Sequence, residues 1–152
     1  MTTSTRQKPP HADALPGAVA APKSDVSSRS RVIAVEEAYA TERWITQMLK
    51  LDVSGPEADE LRFLRFLLGY RNIRERLTNF DERVRIMDEN GVDLQVLSLT
   101  IPSVQMFPID RAIALSREVN DELAETIRRY PGRFAGLAAI PPQDPENAAL
   151  EI

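Results

Sequence analysis

Short apolar runs alternate with longer segments of helical periodicity, and this order most restricts the possible fold. The predicted strands are residues 32–35, 92–99 and 134–140. Helical segments separate them, so consecutive strands should be joined by helices and run parallel. A parallel sheet needs helices over its faces. We therefore predict an α/β fold made of the first three β/α units of a (β/α)8 barrel, incomplete because a whole barrel normally takes about 250 residues.

Capping residues and apolar stripes predict the helices between these strands. Thr41 should cap a helix over residues 42–50, and a second helix should span 57–70. Asp110 should cap a long helix that ends near Tyr130, and a further helix should begin at Pro145. One continuous third helix should end at the Asn90-Gly91 pair, and its stripe comprises Ile73, Leu77, Phe80, Val84 and Met87. In the second strand we expect burial of Val92, Leu94 and Val96, with Leu97 and Leu99 as further candidates.

Composition limits both the domain organisation and the function classes. Residues 1–30 are rich in proline and serine and lack aromatic residues, so we predict a disordered tail before a partial barrel domain at 31–152. The net charge of -4 and the absence of a basic cluster with aromatic residues argue against nucleic-acid binding. No apolar run approaches the roughly 18 residues of a membrane span. The chain has no cysteine, which fits a reducing, cytoplasmic location.

The scarcity of histidine restricts the chemistry further. His11 is the one histidine, and it lies in the predicted tail. Residues 31–152 therefore contain no imidazole for a catalytic triad, a general base or a histidine-rich zinc site. A metal site built from these residues would use oxygen ligands.

Two adjacent carboxylates, Glu36 and Glu37, follow the first apolar run. Side chains alternate along a strand, so one carboxylate should point towards the barrel interior and the other away. If Val35 packs against the helices, Glu36 faces the interior, where it could bind a divalent metal ion. The alternative is that the two carboxylates lie at a solvated strand end, with one of them close to a helix N-terminus, where negative charge is favourable. Residue chemistry alone favours this alternative.

A family resemblance favours the metal-ligand hypothesis. Over about residues 31–152 the chain resembles the metal-dependent decarboxylase branch of the amidohydrolase superfamily, including 5-carboxyvanillate and gamma-resorcylate decarboxylases. The Tyr-Pro-Gly-Arg-Phe-Ala-Gly and Gln-Asp-Pro segments are the most specific. The matching segments are IAVEEAYAT at 33–41, MDENGVD at 87–93, LSLTIPSVQ at 97–105, NDEL at 120–123, YPGRFAGLA at 130–138 and PQDP at 142–145.

The resemblance implies that Glu36 is a metal ligand. Many relatives carry a histidine ligand two residues later, where this chain has Ala38. A subgroup resembling 5-carboxyvanillate decarboxylase also reads Glu-Glu-Ala-aromatic and uses manganese, a hard cation suited to oxygen ligands. The family's other ligands, a histidine and an aspartate, are expected beyond Ile152, as is the catalytic aspartate. We therefore expect no catalytic residue within these 152 residues, and Mn2+ or Zn2+ binding only in a complete barrel.

Four further polar residues are candidates for substrate contacts. Thr100 and Gln105 follow the second strand and could bind an aromatic acid, although hydrogen bonding within the loop is the favoured alternative. Arg71 and Arg74 could bind a substrate carboxylate in a bidentate manner. We favour surface ion pairs with Glu75 or Asp81 for these arginines.

The predicted function is that of the N-terminal part of a metal-dependent decarboxylase for a small, hydroxylated aromatic acid. One alternative is a metal-dependent hydrolase of the same superfamily, against which Ala38 argues modestly. An alternative of another class is a non-catalytic, truncated chain that needs a partner to complete the barrel. The expected partners are accordingly the aromatic acid and either further copies of the chain or a complementing chain.

Overall fold

Three strands and six helices make up residues 30–55 and 57–152, the part of the chain that the computed structural model describes. The strands are parallel and adjacent in chain order, which confirms the predicted α/β fold of successive β/α units. The predicted disordered tail lies almost wholly outside the described residues. In chain order the elements are β1 (Ile33–Tyr39), α1 (Glu42–Lys50), α2 (Glu57–Leu68), α3 (Arg71–Thr78), α4 (Phe80–Asn90), β2 (Leu94–Leu99), α5 (Ile109–Arg129), β3 (Phe134–Gly136) and α6 (Pro145–Leu150).

The hydrophobic core lies between the sheet and the helices, and its largest fully buried side chains are Trp44 of α1 and Tyr39 of β1. The predicted Thr41 cap is confirmed, since its Oγ1 accepts a hydrogen bond from the Trp44 amide at 3.1 Å. Trp44 is fully buried and belongs to this core. Its indole Nε1 donates to the Ser103 carbonyl at 2.8 Å and thereby anchors the loop after β2 to α1. The other fully buried core residues of α1 and α5 are Ile45, Met48, Ala112, Leu115 and Val119.

The prediction of one continuous third helix is wrong, because the structure has two helices, α3 and α4, separated at Asn79. This residue has φ -93° and ψ 94°, outside the helical region, and its side chain accepts a hydrogen bond from the Glu82 amide at 3.1 Å. An asparagine side chain competes with the helical backbone in this way and starts a new helix. The apolar stripe nevertheless continues from α3 into α4, since Leu77 and Phe80 pack against the same core. Gly91 ends α4 at φ 68°, as predicted.

The prediction that Asp110 caps α5 is also wrong. Pro108 occupies the N-cap position, and Asp110 lies in the first turn of the helix. Its negative charge is favourable there because the free amides of a helix N-terminus carry partial positive charge. The long helix itself is confirmed, and it buries Ala112, Leu115 and Val119 on one side.

The predicted burial within the first two strands needs correction. In β2 the predicted burial of Leu97 and Leu99 is confirmed, and Gln95 is buried as well. Leu94 and Val96 are only partly buried, as is Val92, which lies before the strand. The helices cover the face that carries the odd-numbered residues of β2, and no described element covers the opposite face. The run at 32–35 is also more exposed than predicted, because β1 lies at the edge of the sheet.

The third strand is shorter than predicted, ending at Gly136 rather than near residue 140. A side chain of α5 binds the backbone beyond it. Asn120 accepts a hydrogen bond from the Ala139 amide at 2.8 Å and donates to the Ala139 carbonyl at 2.9 Å. These two hydrogen bonds pair the backbone N–H and C=O of Ala139 with a side chain in place of a neighbouring strand.

Candidate metal centre

A β-bulge interrupts β1 at the predicted carboxylate pair. Ala34 pairs with Gln95 and Glu37 pairs with Leu97, so two residues of β1 lie opposite the single residue Val96. Glu36 is one of the two, with φ 62° in the left-handed region. A bulge of this kind changes the alternation of faces along the strand. The simple alternation assumed from the sequence therefore does not hold across the carboxylate pair.

The two carboxylates have different surroundings. Glu36 is exposed and forms no hydrogen bond or ion pair with the residues that the structure describes. Glu37 is half-buried, and its Oε2 lies 3.6 Å from Nη1 of Arg83 on α4. Val35 is 64% exposed and does not pack against the helices, so this condition for an inward-facing Glu36 is not met. Glu36 is nevertheless the carboxylate of the pair that is available to bind a cation.

Arg83 holds the backbone beside the bulge. Its side chain is only 12% exposed, and its Nη2 donates to the carbonyls of Ala38 and Arg76, both at 2.7 Å. Its Nη1 donates to Oε1 of Gln95 at 3.2 Å. Burial lowers the pKa of Arg83, and the nearby Glu37 carboxylate opposes that change. One guanidinium thus connects β1, α3 and β2 and neutralises Glu37.

The sequence reasoning missed this role of Arg83, although a signal for it exists. Arg83 comes three residues after Phe80 and four before Met87, so it falls on the apolar face of α4. A charged residue at such a position needs partners, because an unpaired buried charge is costly. Its partners are backbone carbonyls that become neighbours only in the folded chain, and the sequence cannot identify them.

The predicted substrate residues do not meet Glu36 in one cavity. Gln105 lines a surface cavity of about 710 Å³ between the segment after α1 and the loop after β2. Neither Glu36 nor Thr100 is among the described residues that line it. Asp52 and Glu60 do line it, and their negative charge is unfavourable for an aromatic acid anion. Substrate binding by Thr100 and Gln105 therefore stays a prediction.

Loop hydrogen bonds do engage the backbones of these two residues. The Thr100 amide donates to the Tyr39 carbonyl at 2.9 Å, at the ends of β1 and β2. The Gln105 carbonyl accepts a hydrogen bond from Nε2 of Gln143 at 2.8 Å. Both backbones therefore have a structural role in holding the loop after β2.

The two candidate arginines form surface ion pairs, as favoured from the sequence. Arg71 Nε lies 2.7 Å from Oε1 of Glu75. Arg74 pairs with Glu42 of α1 instead of the predicted Glu75 or Asp81. Its hydrogen bond holds the pKa of the Glu42 carboxyl below its usual range.

A metal ion would find only part of its ligand set in the described region. Within residues 30–55 and 57–152, no group of three or more His, Cys, Asp or Glu side chains could hold a metal ion. Glu36 offers one exposed carboxylate without a competing cation, which suits a hard divalent metal as a single ligand. These residues thus fit one ligand of a metal centre and do not form the centre by themselves.

Comparison with known proteins identifies the family to which this architecture belongs. The model of the amidohydrolase family matches residues 29–152. The chain belongs to the amidohydrolase family. Its match includes every strand and helix described above, which confirms the family predicted from the sequence motifs.

Relatives of this amidohydrolase chain include decarboxylases of aromatic acids. The chain is 40% identical over 122 residues to the gamma-resorcylate decarboxylase of a Polaromonas species. Among solved structures, the 5-carboxyvanillate decarboxylase of Sphingomonas paucimobilis has 36% identity and a TM-score of 0.72. That of Novosphingobium aromaticivorans, complexed with manganese and 4-hydroxy-3-methoxy-5-nitrobenzoic acid, has 33% identity and a TM-score of 0.70.

The matches cover most of this chain and a minor part of each relative. The Polaromonas match spans 79% of this chain and 33% of the relative. The two structural matches each cover 80% of this chain, and 38% and 37% of the respective relatives. The chain thus spans about a third of the relatives' length. In residues 30–55 and 57–152, none of the helices has the length and apolar character needed to cross a membrane.

Proposed function

We propose that this amidohydrolase chain provides the first part of a metal-dependent decarboxylase that acts on a small, hydroxylated aromatic acid. The 40% identity to gamma-resorcylate decarboxylase and the 36% identity to 5-carboxyvanillate decarboxylase support the reaction class. The manganese in the Novosphingobium structure supports a divalent metal, for which the sequence predicts Mn2+ or Zn2+. The cysteine-free composition supports a cytoplasmic location.

The exposed, unpaired carboxylate of Glu36 carries this proposal. Glu36 would provide one oxygen ligand to the metal, and the other ligands would come from outside the described residues. Arg83 neutralises Glu37 and fixes the Ala38 carbonyl, which leaves Glu36 as the free carboxylate beside the bulge. A bound divalent metal supplies Lewis-acid stabilisation of negative charge. Ala38 has no ligating side chain, which disfavours the alternative of a histidine-rich hydrolase.

A second candidate function is that of a non-catalytic chain that acts only with a complementing partner. The exposed residues of β1 favour it, because Ile33 and Val35 are 50% and 64% exposed at an edge of the sheet. An apolar edge strand pairs readily with further strands. The two candidates differ in whether metal binding and activity appear once the rest of a barrel is supplied.

The test is to complement the chain and to vary the two adjacent carboxylates. The 152-residue chain is mixed with a gamma-resorcylate decarboxylase piece that lacks the part matched here. Release of CO2 from 2,6-dihydroxybenzoate is then measured with added Mn2+, and Mn2+ binding is followed by electron paramagnetic resonance. We expect weak binding by the chain alone, with tighter binding and activity in the mixture.

Glu36→Gln should abolish both Mn2+ binding and activity without changing the folded fraction. Glu37→Gln is the matched control and should retain Mn2+ binding per folded molecule. Equal Mn2+ binding by wild type and Glu36→Gln would refute the ligand assignment. A folded, Mn2+-loaded mixture that releases no CO2 from any hydroxylated benzoate would refute the decarboxylase proposal.

A further inference from the structure

The side chain of Gln143 holds the backbone of the loop after β2. This loop, residues 100–107, begins at the carboxyl end of β2 and leads into α5. The Nε2 atom of Gln143 lies 2.8 Å from the carbonyl oxygen of Gln105, 3.2 Å from that of Phe107 and 3.4 Å from that of Val104. A carboxamide has two N–H hydrogens, which these carbonyls share. One neutral donor from the segment after β3 therefore holds the second half of the loop.

Other contacts fix the remainder of this loop. The indole of Trp44 donates to the Ser103 carbonyl at 2.8 Å. The side chains of Val104 and Phe107 are buried in the core. Within the loop, the Phe107 amide donates to the Val104 carbonyl at 3.2 Å. The buried side chains thus fix the loop from one side, and Gln143 fixes the backbone between them.

The backbone on both sides of Gln143 is itself anchored. Pro141 is fully buried, and its carbonyl accepts a hydrogen bond from the Asp144 amide at 3.0 Å. The Asp144 carboxylate caps α6 by accepting a hydrogen bond from the Asn147 amide at 3.0 Å. Gln143 is exposed between these anchors, so replacing it should leave the core intact.

The loop and Gln143 both lie at the edge of the sheet where a barrel enzyme binds its substrate. Both follow the carboxyl ends of strands, and enzymes of this architecture build their active sites from such segments. The Thr100 amide also ties the loop to the Tyr39 carbonyl, at the end of the strand that carries Glu36. The loop therefore neighbours the proposed metal ligand's strand.

We propose that Gln143 is a positioning residue of the decarboxylase, an inference that rests on the proposed function. Its amide holds the loop after β2 in the conformation that contacts the aromatic acid, and the loop carries the predicted substrate residues Thr100 and Gln105. Gln143 acts through backbone carbonyls and touches neither the substrate nor the metal. Its loss should therefore weaken substrate binding and leave metal binding unchanged.

The test is the kinetics of the complemented, Mn2+-loaded mixture with 2,6-dihydroxybenzoate. Gln143→Met keeps the length of the side chain without a donor, and Gln143→Glu places negative charge against the carbonyl oxygens. We expect KM to rise about tenfold in Gln143→Met and further in Gln143→Glu, with kcat changed less than about threefold. Mn2+ binding should equal that of the wild type. Gln47→Met is the matched control, because Gln47 of α1 is half-buried and forms no hydrogen bond with the described residues.

Hydrogen exchange of the 152-residue chain tests the loop without activity. The Gln105 and Phe107 amides should exchange about tenfold faster in Gln143→Met than in the wild type or in Gln47→Met. Unchanged exchange of both amides would overturn the proposal. A merely structural role would lower the folded fraction and leave KM unchanged, and this result would overturn the positioning role alone. A Mn2+-loaded wild-type mixture that releases no CO2 would instead refute the proposed function, and the positioning role with it.

Discussion

Replacing Arg83 with methionine should destabilise this chain far more than an equivalent change elsewhere on the same helix. The guanidinium donates hydrogen bonds to two backbone carbonyls and to Gln95, and it lies beside the Glu37 carboxylate. Methionine has a similar length and would fill much of the same space. The substitution therefore removes the hydrogen bonds and the charge while largely preserving the packing.

The expected loss can be worked from these contacts. A hydrogen bond that involves a charged group is worth about 1.5–3 kcal/mol, and Arg83 makes three of them. Removing one partner of a buried charged pair typically costs about 3–5 kcal/mol. Since 12% of the Arg83 side chain is exposed, water can reach part of the site. We therefore expect Arg83→Met to lower the free energy of unfolding by about 3 kcal/mol. Arg83→Lys keeps the charge but loses the planar fork, so its loss should be about 1–2 kcal/mol.

Arg85→Met is the matched control for this prediction. Arg85 is two residues away on α4 and 55% exposed, and it pairs with Glu82 and Glu89 on the surface. Such exposed pairs contribute about 0–1 kcal/mol. The assay is urea unfolding followed by the fluorescence of Trp44, which is the one tryptophan and is fully buried. Equal shifts of the unfolding midpoint in Arg83→Met and Arg85→Met would refute the reasoning.

Further predictions concern a buried hydroxyl, a close contact and an acid-sensitive pair. Tyr39→Phe should raise the free energy of unfolding by about 1 kcal/mol, because the Tyr39 hydroxyl is buried without a hydrogen-bond partner in the described region. A lower urea midpoint would contradict this. Gly136→Ala should lower the free energy of unfolding by about 1–3 kcal/mol in the same assay, because the new Cβ would lie 2.5 Å from Cδ2 of Leu123. An unchanged urea midpoint would show that Leu123 moves freely. The hydrogen bond from Arg74 lowers the pKa of Glu42 in the folded chain. This pair therefore stabilises the fold by under about 1 kcal/mol at pH values above the unfolded-state pKa of Glu42. The contribution is lost as the pH falls through the lower, folded-state pKa. Arg74→Met should therefore lose less stability on acidification than the wild type, as measured by urea unfolding from pH 7 to 3, and equal losses would contradict the assignment.

The sequence predicted the order of strands and helices because local chemistry determines it. The Thr41 cap and the Gly91 terminator act within a few residues of their own positions, and the structure has both. The stripe of α5 also depends only on spacing. Asn79 was missed because its competing hydrogen bond to the Glu82 amide interrupts a stripe that continues on both sides.

Features that depend on contacts between distant segments could not be predicted in this way. Which face of β2 is buried depends on where the helices pack, and the alternation of Val96 and Leu97 is compatible with either face. The bulge at Glu36 appears only when β1 is paired with β2, since the extra residue has no signature in the sequence. The partners of Arg83 likewise come from β1, α3 and β2.

The left-handed backbone at Glu36 has a consequence for selection experiments. Glycine adopts φ 62° freely, whereas other residues pay about 1 kcal/mol or more to hold it. A library randomised at position 36 and selected only for folded chains should therefore enrich glycine and asparagine. Selection of the complemented protein for manganese binding should instead enrich glutamate and aspartate. The contrast between the two populations would separate the residue that the backbone prefers from the residue that the proposed metal site requires.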